Sequence, residues 1–400
     1  MSKLLKVFLA FVGTAFLATS IHAQATIEEV IVTAQRTEQS LQDVPISVSA
    51  FTDEILTERQ IEVASDLQLQ VPGVGYSSNT FGTGGFSIRG ITNLATAASA
   101  DAGVEVHLNG LPLGTTSTNE LGFMDMSRIE VLRGPQGTLF GRNTIGGVIN
   151  INRSKPTREF GAKIKIDLEE DNTSDLKLIL NTPLGDKGGM KIALRKLQSD
   201  SFMFNVTRDE REKARDLESA SVSIDFDPSE NVNVNFIFDN YNDNSQHNLL
   251  AITKFYTNKL GATQGLFALL GQGSAGSGDL SAANDYETVY SAAPFLSGIQ
   301  GNNMTLRVQW ELENHTLKYI AGNNDFAELM DICSWGSPGA VVTPNCVFPV
   351  VRDQNYEQTS HEVQLISDSG GPLSYTLGLF YIETEANMDS GPCLLYTSPS

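Results

Sequence analysis

Met304-Thr305-Leu306-Arg307-Val308-Gln309-Trp310-Glu311-Leu312 alternates apolar and polar side chains without a break. A period of two places Met304, Leu306, Val308, Trp310 and Leu312 on one face of a strand, and Thr305, Arg307, Gln309 and Glu311 on the other. The pattern extends outward from this stretch. Upstream, Ala162, Ile164, Ile166 and Leu168 alternate with Lys163, Lys165, Asp167 and Glu169. Leu176, Leu178 and Leu180 follow, then Ile192 and Leu194 among Lys191 and Arg195, then Val222, Ile224 and Phe226. Val232, Val234, Phe236 and Phe238 alternate with Asn233, Asn235 and Ile237. Downstream come Leu317, Tyr319 and Ala321, then Val363 and Leu365, then Leu373, Tyr375, Leu377, Leu379 and Tyr381. The total is about nine strands, each near the ~9–11 residues that cross a bilayer when tilted.

The connections decide which end is which. Residues 184–188, 227–231, 313–314 and 368–372 read as short turns, whereas 200–217, 242–302 and 325–357 read as long polar loops. A soluble sandwich has no reason to collect its long loops at one end. Outer-membrane barrels do so, with short periplasmic turns and long external loops. Residues 156–390 are therefore expected to form part of a transmembrane antiparallel β-barrel.

Composition agrees. The 400 residues include 27 Lys+Arg against 47 Asp+Glu, a net charge of -20, with most of the acidic excess after residue 160. Nucleic acid is excluded as a partner, because its phosphates need a basic footprint. A mean hydropathy of -0.12 excludes a bundle of apolar helices. Lys3 and Lys6, the apolar run 7–18 and Ala23-Gln24-Ala25 have the order of an export signal over residues 1–25. The apolar run is shorter than the ~20 residues a spanning helix needs.

Residues 26–42 begin with two acids and the β-prone Val30, Ile31 and Val32, then turn polar. With nothing nearby to bury them by alternation, they read equally as a tether that adds to another protein's sheet edge or as an edge strand of the next domain. Residues 43–155 read as a small mixed domain. Asp53, Glu54 and Asp66 mark helix starts, and the strand Val104-Glu105-Val106-His107-Leu108 is closed by Asn109-Gly110. The glycines at 134, 137, 141, 146 and 147 fit no phosphate-loop spacing. Glu130, Arg133 and Arg142 read either as a buried polar network or as exposed strand charges.

Together these motifs resemble the TonB-dependent outer-membrane receptors of the iron-complex and siderophore type. The resemblance rests on residues 29–34, 43–48, 86–91 and 104–112, and above all on 128–151, RIEVLRGPQGTLFGRNTIGGVINI, with 361–365 and 378–381 as barrel strands. It implies a mainly β chain with a globular α+β plug inside a barrel of which this chain carries the N-terminal part. Residues 391–400 do not continue the strand pattern and are expected to be a non-native tail of a fragment. The resemblance assigns Glu29, Val30, Ile31, Val32, Thr33 and Ala34 to a TonB box. It makes Arg89, Arg128, Glu130, Arg133 and Arg142 plug-to-barrel polar contacts. It further implies the outer membrane of a Gram-negative bacterium, with membrane lipid, TonB and a small ligand such as a ferric chelate as partners. Import of a ferric siderophore leads. A carbohydrate, haem or cobalamin is the alternative ligand, and a passive porin or adhesin barrel is the alternative class. The short spacer before the box leaves no room for a signalling domain.

Cys333 and Cys346 share one predicted external loop on an oxidising route and are a disulfide candidate. His107, His247, His315 and His361 are scattered without ligand spacing and read as surface or turn histidines, so neither a metal nor a cofactor is expected. No catalytic triad or carboxylate pair is present as a motif, and an enzyme is not expected.

Overall fold

The computed structural model describes residues 30–33, 36–37, 39–78, 84–93, 101–116, 118, 124–205, 209–245, 288–289, 296–333, 349–367 and 373–390. The signal segment and the tail lie outside them.

The first part contains β1 (Ile31–Val32), β2 (Gln39–Ser40), β3 (Val48–Thr52), β4 (Val74–Ser78) and β5 (Gly84–Ile88). It continues with β6 (Val104–Leu108), β7 (Leu111–Pro112), β8 (Met126–Arg133) and β9 (Gly147–Arg153). Three short helices accompany them: α1 (Asp53–Glu58), α2 (Leu67–Gln70) and α3 (Gly137–Phe140). The central sheet has the order β3-β8-β9-β6-β7, with β6 and β9 parallel and the other neighbours antiparallel. Strand parity sorts the sequence onto its two faces. Ile129, Val131, Ile149, Ile151, Val106 and Leu108 join Phe51, Leu56, Leu67 and Phe86 in the main core. Leu132 and Val148 point the other way and pack with Phe140 and Val32. With both faces covered, β6 is buried along its whole length, as parallel strands usually are. Thr52 starts α1 by accepting from the Ile55 amide, with Asp53 and Glu54 in the first turn. Asn109 and Gly110 both take positive φ, 54° and 86°, which is the tight hairpin turn their sequence specifies.

The second part is a wall of β10 (Gly161–Glu169), β11 (Thr173–Pro183), β12 (Gly188–Asn205), β13 (Glu210–Ser229) and β14 (Val232–Asp243). After the two-residue β15 (Thr288–Val289) come β16 (Leu296–Glu311), β17 (His315–Cys333), β18 (Pro349–Ser367) and β19 (Thr376–Ser390). All except β15 follow chain order as antiparallel neighbours, and β15 pairs in parallel with the end of β12. The strands overrun the expected loops. Residues 200–205 and 210–217 are strand rather than loop, as are 325–333 and 349–357. Beyond the bilayer both faces of a strand meet polar surroundings, so the apolar alternation fades while the backbone ladder continues. β17 ends at Cys333, and Cys346 lies outside the described residues.

Polarity in the wall is the inverse of a soluble sheet. Ile164, Ile166 and Leu168 are 64%, 63% and 77% exposed, whereas Lys191, Arg195 and Gln358 are 3%, 3% and 0% exposed against the plug. An apolar outer face with a polar inner face is the arrangement lipid requires. No helix among the described residues is long and apolar enough to cross a membrane. On the outer face near the short-turn end, His361 lies between Tyr319 and Tyr381 with ring centroids 6.2 and 6.3 Å away, as in an interfacial aromatic belt. Plug and wall approach closely at Gly322, where a Cβ would lie 2.1 Å from the Leu111 side chain.

Leu194 faces outward on β12, about 20 Å along the strand from its short-turn end at Gly188. Leu194→Arg is expected to cost about 2–4 kcal/mol in urea unfolding of the chain folded into lipid vesicles. Lys196→Ala, at an exposed position on the same strand, is the near-neutral comparison.

Candidate functional site

The even positions of β8 and β9 carry Arg128, Glu130, Asn150 and Asn152 away from the main core, and the N-terminal segment lies on that face. Residues 30–33 and 39–40 form a short hairpin, with Ile31 opposite Ser40 and Val32 opposite Gln39. Val32 is fully buried among Val44, Leu132, Phe140 and Val148. The segment is therefore packed, which corrects the expectation that nothing nearby buries it. Apart from Val44, the buried side chains around it, Leu132, Phe140 and Val148, lie about 100 or more positions away in sequence, where local alternation carries no trace of them. Glu29 and Ala34 lie outside the described residues.

Glu130 is the centre of the attachment. It is fully buried, and its carboxylate accepts from the Thr33 amide at 2.8 Å and from the Thr33 hydroxyl at 3.1 and 3.2 Å. Asn150 Nδ2 donates to the same carboxylate at 3.2 Å, and Arg128 Nε stands 2.5 Å from it as an ion pair off the line of a hydrogen bond. Arg128 Nη2 also donates to Thr33 Oγ1 at 3.2 Å. Arg36 secures the far side of the hairpin: Nε donates to the Leu139 carbonyl, the guanidinium lies 4.3 Å over the Phe140 ring, and Glu362 of the wall is 3.8 Å away.

Of the five residues expected to bridge plug and wall, none has a hydrogen-bond or ion-pair partner in the wall among the described residues. Glu130 and Arg128 hold Thr33. Arg133 donates to the Pro72 carbonyl, Arg142 pairs with Asp101 at 3.9 Å, and Arg89 is exposed, with its backbone amide donating to the Gly73 carbonyl. The buried-network reading holds for Glu130 and fails for Arg142, which is 54% exposed.

Other residues bridge the seam. Glu62 of the plug meets Lys165, Lys177 and Arg195 at 2.5, 2.6 and 3.5 Å. Those three cations stand side by side, since Lys165 pairs in register with Lys177 and Lys177 with Arg195. Burial pushes the Glu62 carboxyl up, but its hydrogen bonds to Lys165 and Lys177 outweigh this and hold it at about 2. Asp125 pairs with Lys191, and Arg153 with Asp239 at 2.9 Å. Backbone carbonyls of the β6–β7 hairpin are also engaged. Asn109 accepts from Arg307 at 2.5 Å, Pro112 from Gln358 at 2.5 Å and Leu113 from Asn324 at 3.2 Å. The inward parity of Lys165, Lys191, Arg195 and Arg307 was legible in the sequence. Their partners depend on how the plug is seated and were not.

Glu62, Asp167 and Asp175 come within metal-binding distance of one another, but Lys165, Lys177 and Arg195 already neutralise them. His107 corrects a second expectation: it is 1% exposed on the inward side of β6, against Phe140, and burial pulls its imidazole down to about 3, so it is neutral. Glu105, on the same face, accepts from the Gly114 amide at 3.0 Å, and burial pushes its carboxyl up to about 7.

Comparison with known proteins agrees with this architecture. The family described as TonB-dependent Receptor Plug Domain matches residues 40–148. Residues 40–148 thus match the plug of the TonB-dependent receptors, and the whole described chain shares the fold of such receptors. It is 29% identical over 188 residues to the iron-regulated outer membrane virulence protein of Vibrio cholerae, covering 44% of this chain and 29% of that protein. It is 27% identical over 180 residues to the vitamin B12 transporter BtuB of Photobacterium profundum, covering 45% and 29%. The ferric yersiniabactin uptake receptor FyuA from Yersinia pestis superposes with a TM-score of 0.69 at 15% identity, covering 86% of this chain and 49% of that one. The alcaligin outer membrane receptor FauA from Bordetella pertussis gives 0.63 at 14%, covering 91% and 52%. The chain thus spans about half the length of these receptor structures, and its sequence match covers under a third of the curated relatives.

Two outcomes follow from this geometry. Glu130→Ala removes the acceptor for Thr33, so limited proteolysis between residues 30 and 40 is expected to accelerate at least tenfold, since the 1.5–3 kcal/mol of a hydrogen bond to a charged group is a factor of roughly 10–150. An unchanged cleavage rate would show that Val32 and Arg36 hold the hairpin without it. For Glu105, the folded carboxyl titrates near 7 and the unfolded one at 4.5, so the folded state binds more protons between them. Its contribution to stability is fully present below pH 4.5 and is lost as pH rises through 7. Glu105→Gln is expected to flatten that decline in the thermal midpoint.

Proposed function

We propose that this receptor imports a scarce small ligand across the outer membrane, driven by TonB pairing with residues 29–34. The observation that carries the reading is the exposed, two-residue β1. Ile31 is 39% exposed, β1 has β2 as its one strand neighbour among the described residues, and it is held by one buried side chain, Val32, and by the bonds of the adjoining Thr33 to a single carboxylate. A short strand with an open edge can accept another chain by β-augmentation, and Glu130 gives it a defined resting place until then. Export by residues 1–25 and residence in the outer membrane complete the reading, supported by the outward apolar face of the wall.

The ligand class favoured is a ferric siderophore. It is supported by relatives and fold neighbours named for iron regulation, ferric yersiniabactin uptake and alcaligin. A corrinoid is the second reading, supported by the vitamin B12 transporters among the relatives.

Proline at position 31 removes an amide and prevents strand pairing. Ile31→Pro is therefore expected to abolish accumulation of labelled ligand by cells while leaving ligand binding at the cell surface intact. Undiminished accumulation in that variant would end the energised-import reading.

A further inference from the structure

The short-turn end of the seam encloses a cavity of about 310 Å³, within the range of small-ligand sites. Its walls come from both parts of the chain. Arg36, Arg128, Arg153 and Lys155 reach it from the plug side, and Arg307 and Lys318 from β16 and β17. Among the described residues no Asp or Glu lines it, in a chain with a net charge of -20. Several of the cations have an acid behind them: Arg36 has Glu362, Arg128 has Glu130, Arg153 has Asp239 and Lys155 has Asp225. Arg307 has no ion pair among the described residues and donates to the Asn109 carbonyl.

The uncharged lining is just as one-sided. Asn109 is 4% exposed, and its Nδ2 has no hydrogen-bond partner. Asn152 Nδ2 is also without a partner, as are Nε and Nη1 of Arg153, whose side chain is 10% exposed. Asn109 already spends its acceptors, Oδ1 on the Arg153 amide and its carbonyl on Arg307. What remains to face the cavity is an excess of buried donors. Donors left unmade in this way cost free energy that a ligand supplying acceptors recovers.

We propose that this chamber is an anion-binding site, taking a small solute with two or more carboxylate or phosphate groups. The guanidinium groups of Arg153 and Arg307, from opposite sides of the seam, would each hold one such group, and Asn109 and Asn152 would donate to the remaining oxygens. Thr33 and Arg36 of the N-terminal segment form part of the wall, so the site shares a boundary with the proposed TonB contact. The import reading adds only the direction from which the solute arrives; the site itself stands on its donors.

Titration calorimetry of the full chain folded in detergent, with citrate and with pyrophosphate as probes, tests it. Saturable binding is expected, weakening with added salt and falling at least tenfold in Arg307→Gln. Asn109→Asp provides a second variant, keeping the shape and the acceptor of residue 109 while replacing a donor by a negative charge; it should weaken binding as much. Thermal midpoints near that of the native chain certify both variants as folded, and Lys196→Gln, remote and exposed, should bind normally. Tighter citrate than pyrophosphate assigns a polycarboxylate, and the reverse a solute with two phosphates. No saturable binding, or equal affinity in every variant, overturns the site. Binding in detergent needs neither TonB nor transport, so failure here and failure of the Ile31→Pro experiment are separate results.

Discussion

The wall keeps few apolar residues, such as Ile237 and Ile320, with which to hold the plug. Lipid claims the outer face, where Ile164, Ile166 and Leu168 are exposed, and strand alternation then leaves polar side chains on the inner one. Lys191, Arg195, Asn324, Gln354 and Gln358 are buried as a consequence of this inversion. Cohesion between the parts therefore comes from directed contacts, such as Glu62 with its three cations or Gln358 with the Pro112 carbonyl. Buried pairs of this kind add little net stability over an apolar contact of the same shape, but losing one partner is costly. They specify a seating without gluing it, and an interface of this character leaves room for polar cavities where matching is incomplete.

Within the plug, one strand parity produces both the core and the site. Ile129 and Val131 turn into the main core, while Arg128 and Glu130 turn to the face that receives the N-terminal hairpin. The same alternation on β9 separates Ile149 and Ile151 from Asn150 and Asn152. A one-residue slip of either strand would exchange these sets and bury charges among Phe51, Leu67 and Phe86, so the core fixes the geometry of the site.

Much of this was legible in the residues. Alternation from Ala162 to Tyr381 gave the wall strands in order, and Asn109-Gly110 marked the β6–β7 turn. The extent of those strands was not legible, because polar stretches such as Asn323-Asn324-Asp325 in β17 carry no period that distinguishes ladder from loop. Nor was the seating of Val32, whose pocket is assembled from Leu132, Phe140 and Val148. Glu130 stood out among the charges that alternate along β8, but its partner proved to be Thr33, 97 residues away, rather than the wall. Sequence patterns report on which face a residue lies. They do not report what meets that face.

The two attachments differ in strength, and that difference orders events under load. Burying Val32 contributes about 1.5–3 kcal/mol, and the bonds of Thr33 to Glu130 a similar amount, so the hairpin is held by a few kcal/mol at most. The plug is held by several independent contacts distributed over β10 to β18, which must fail together for it to leave as a body. A force applied at the N-terminus would therefore strip the hairpin first. Thr33 and Arg36 would go with it, removing one wall of the cation-lined chamber while Arg153 and Arg307 stay in place. The seam is thus built so that a weakly held element also covers its cation-lined chamber.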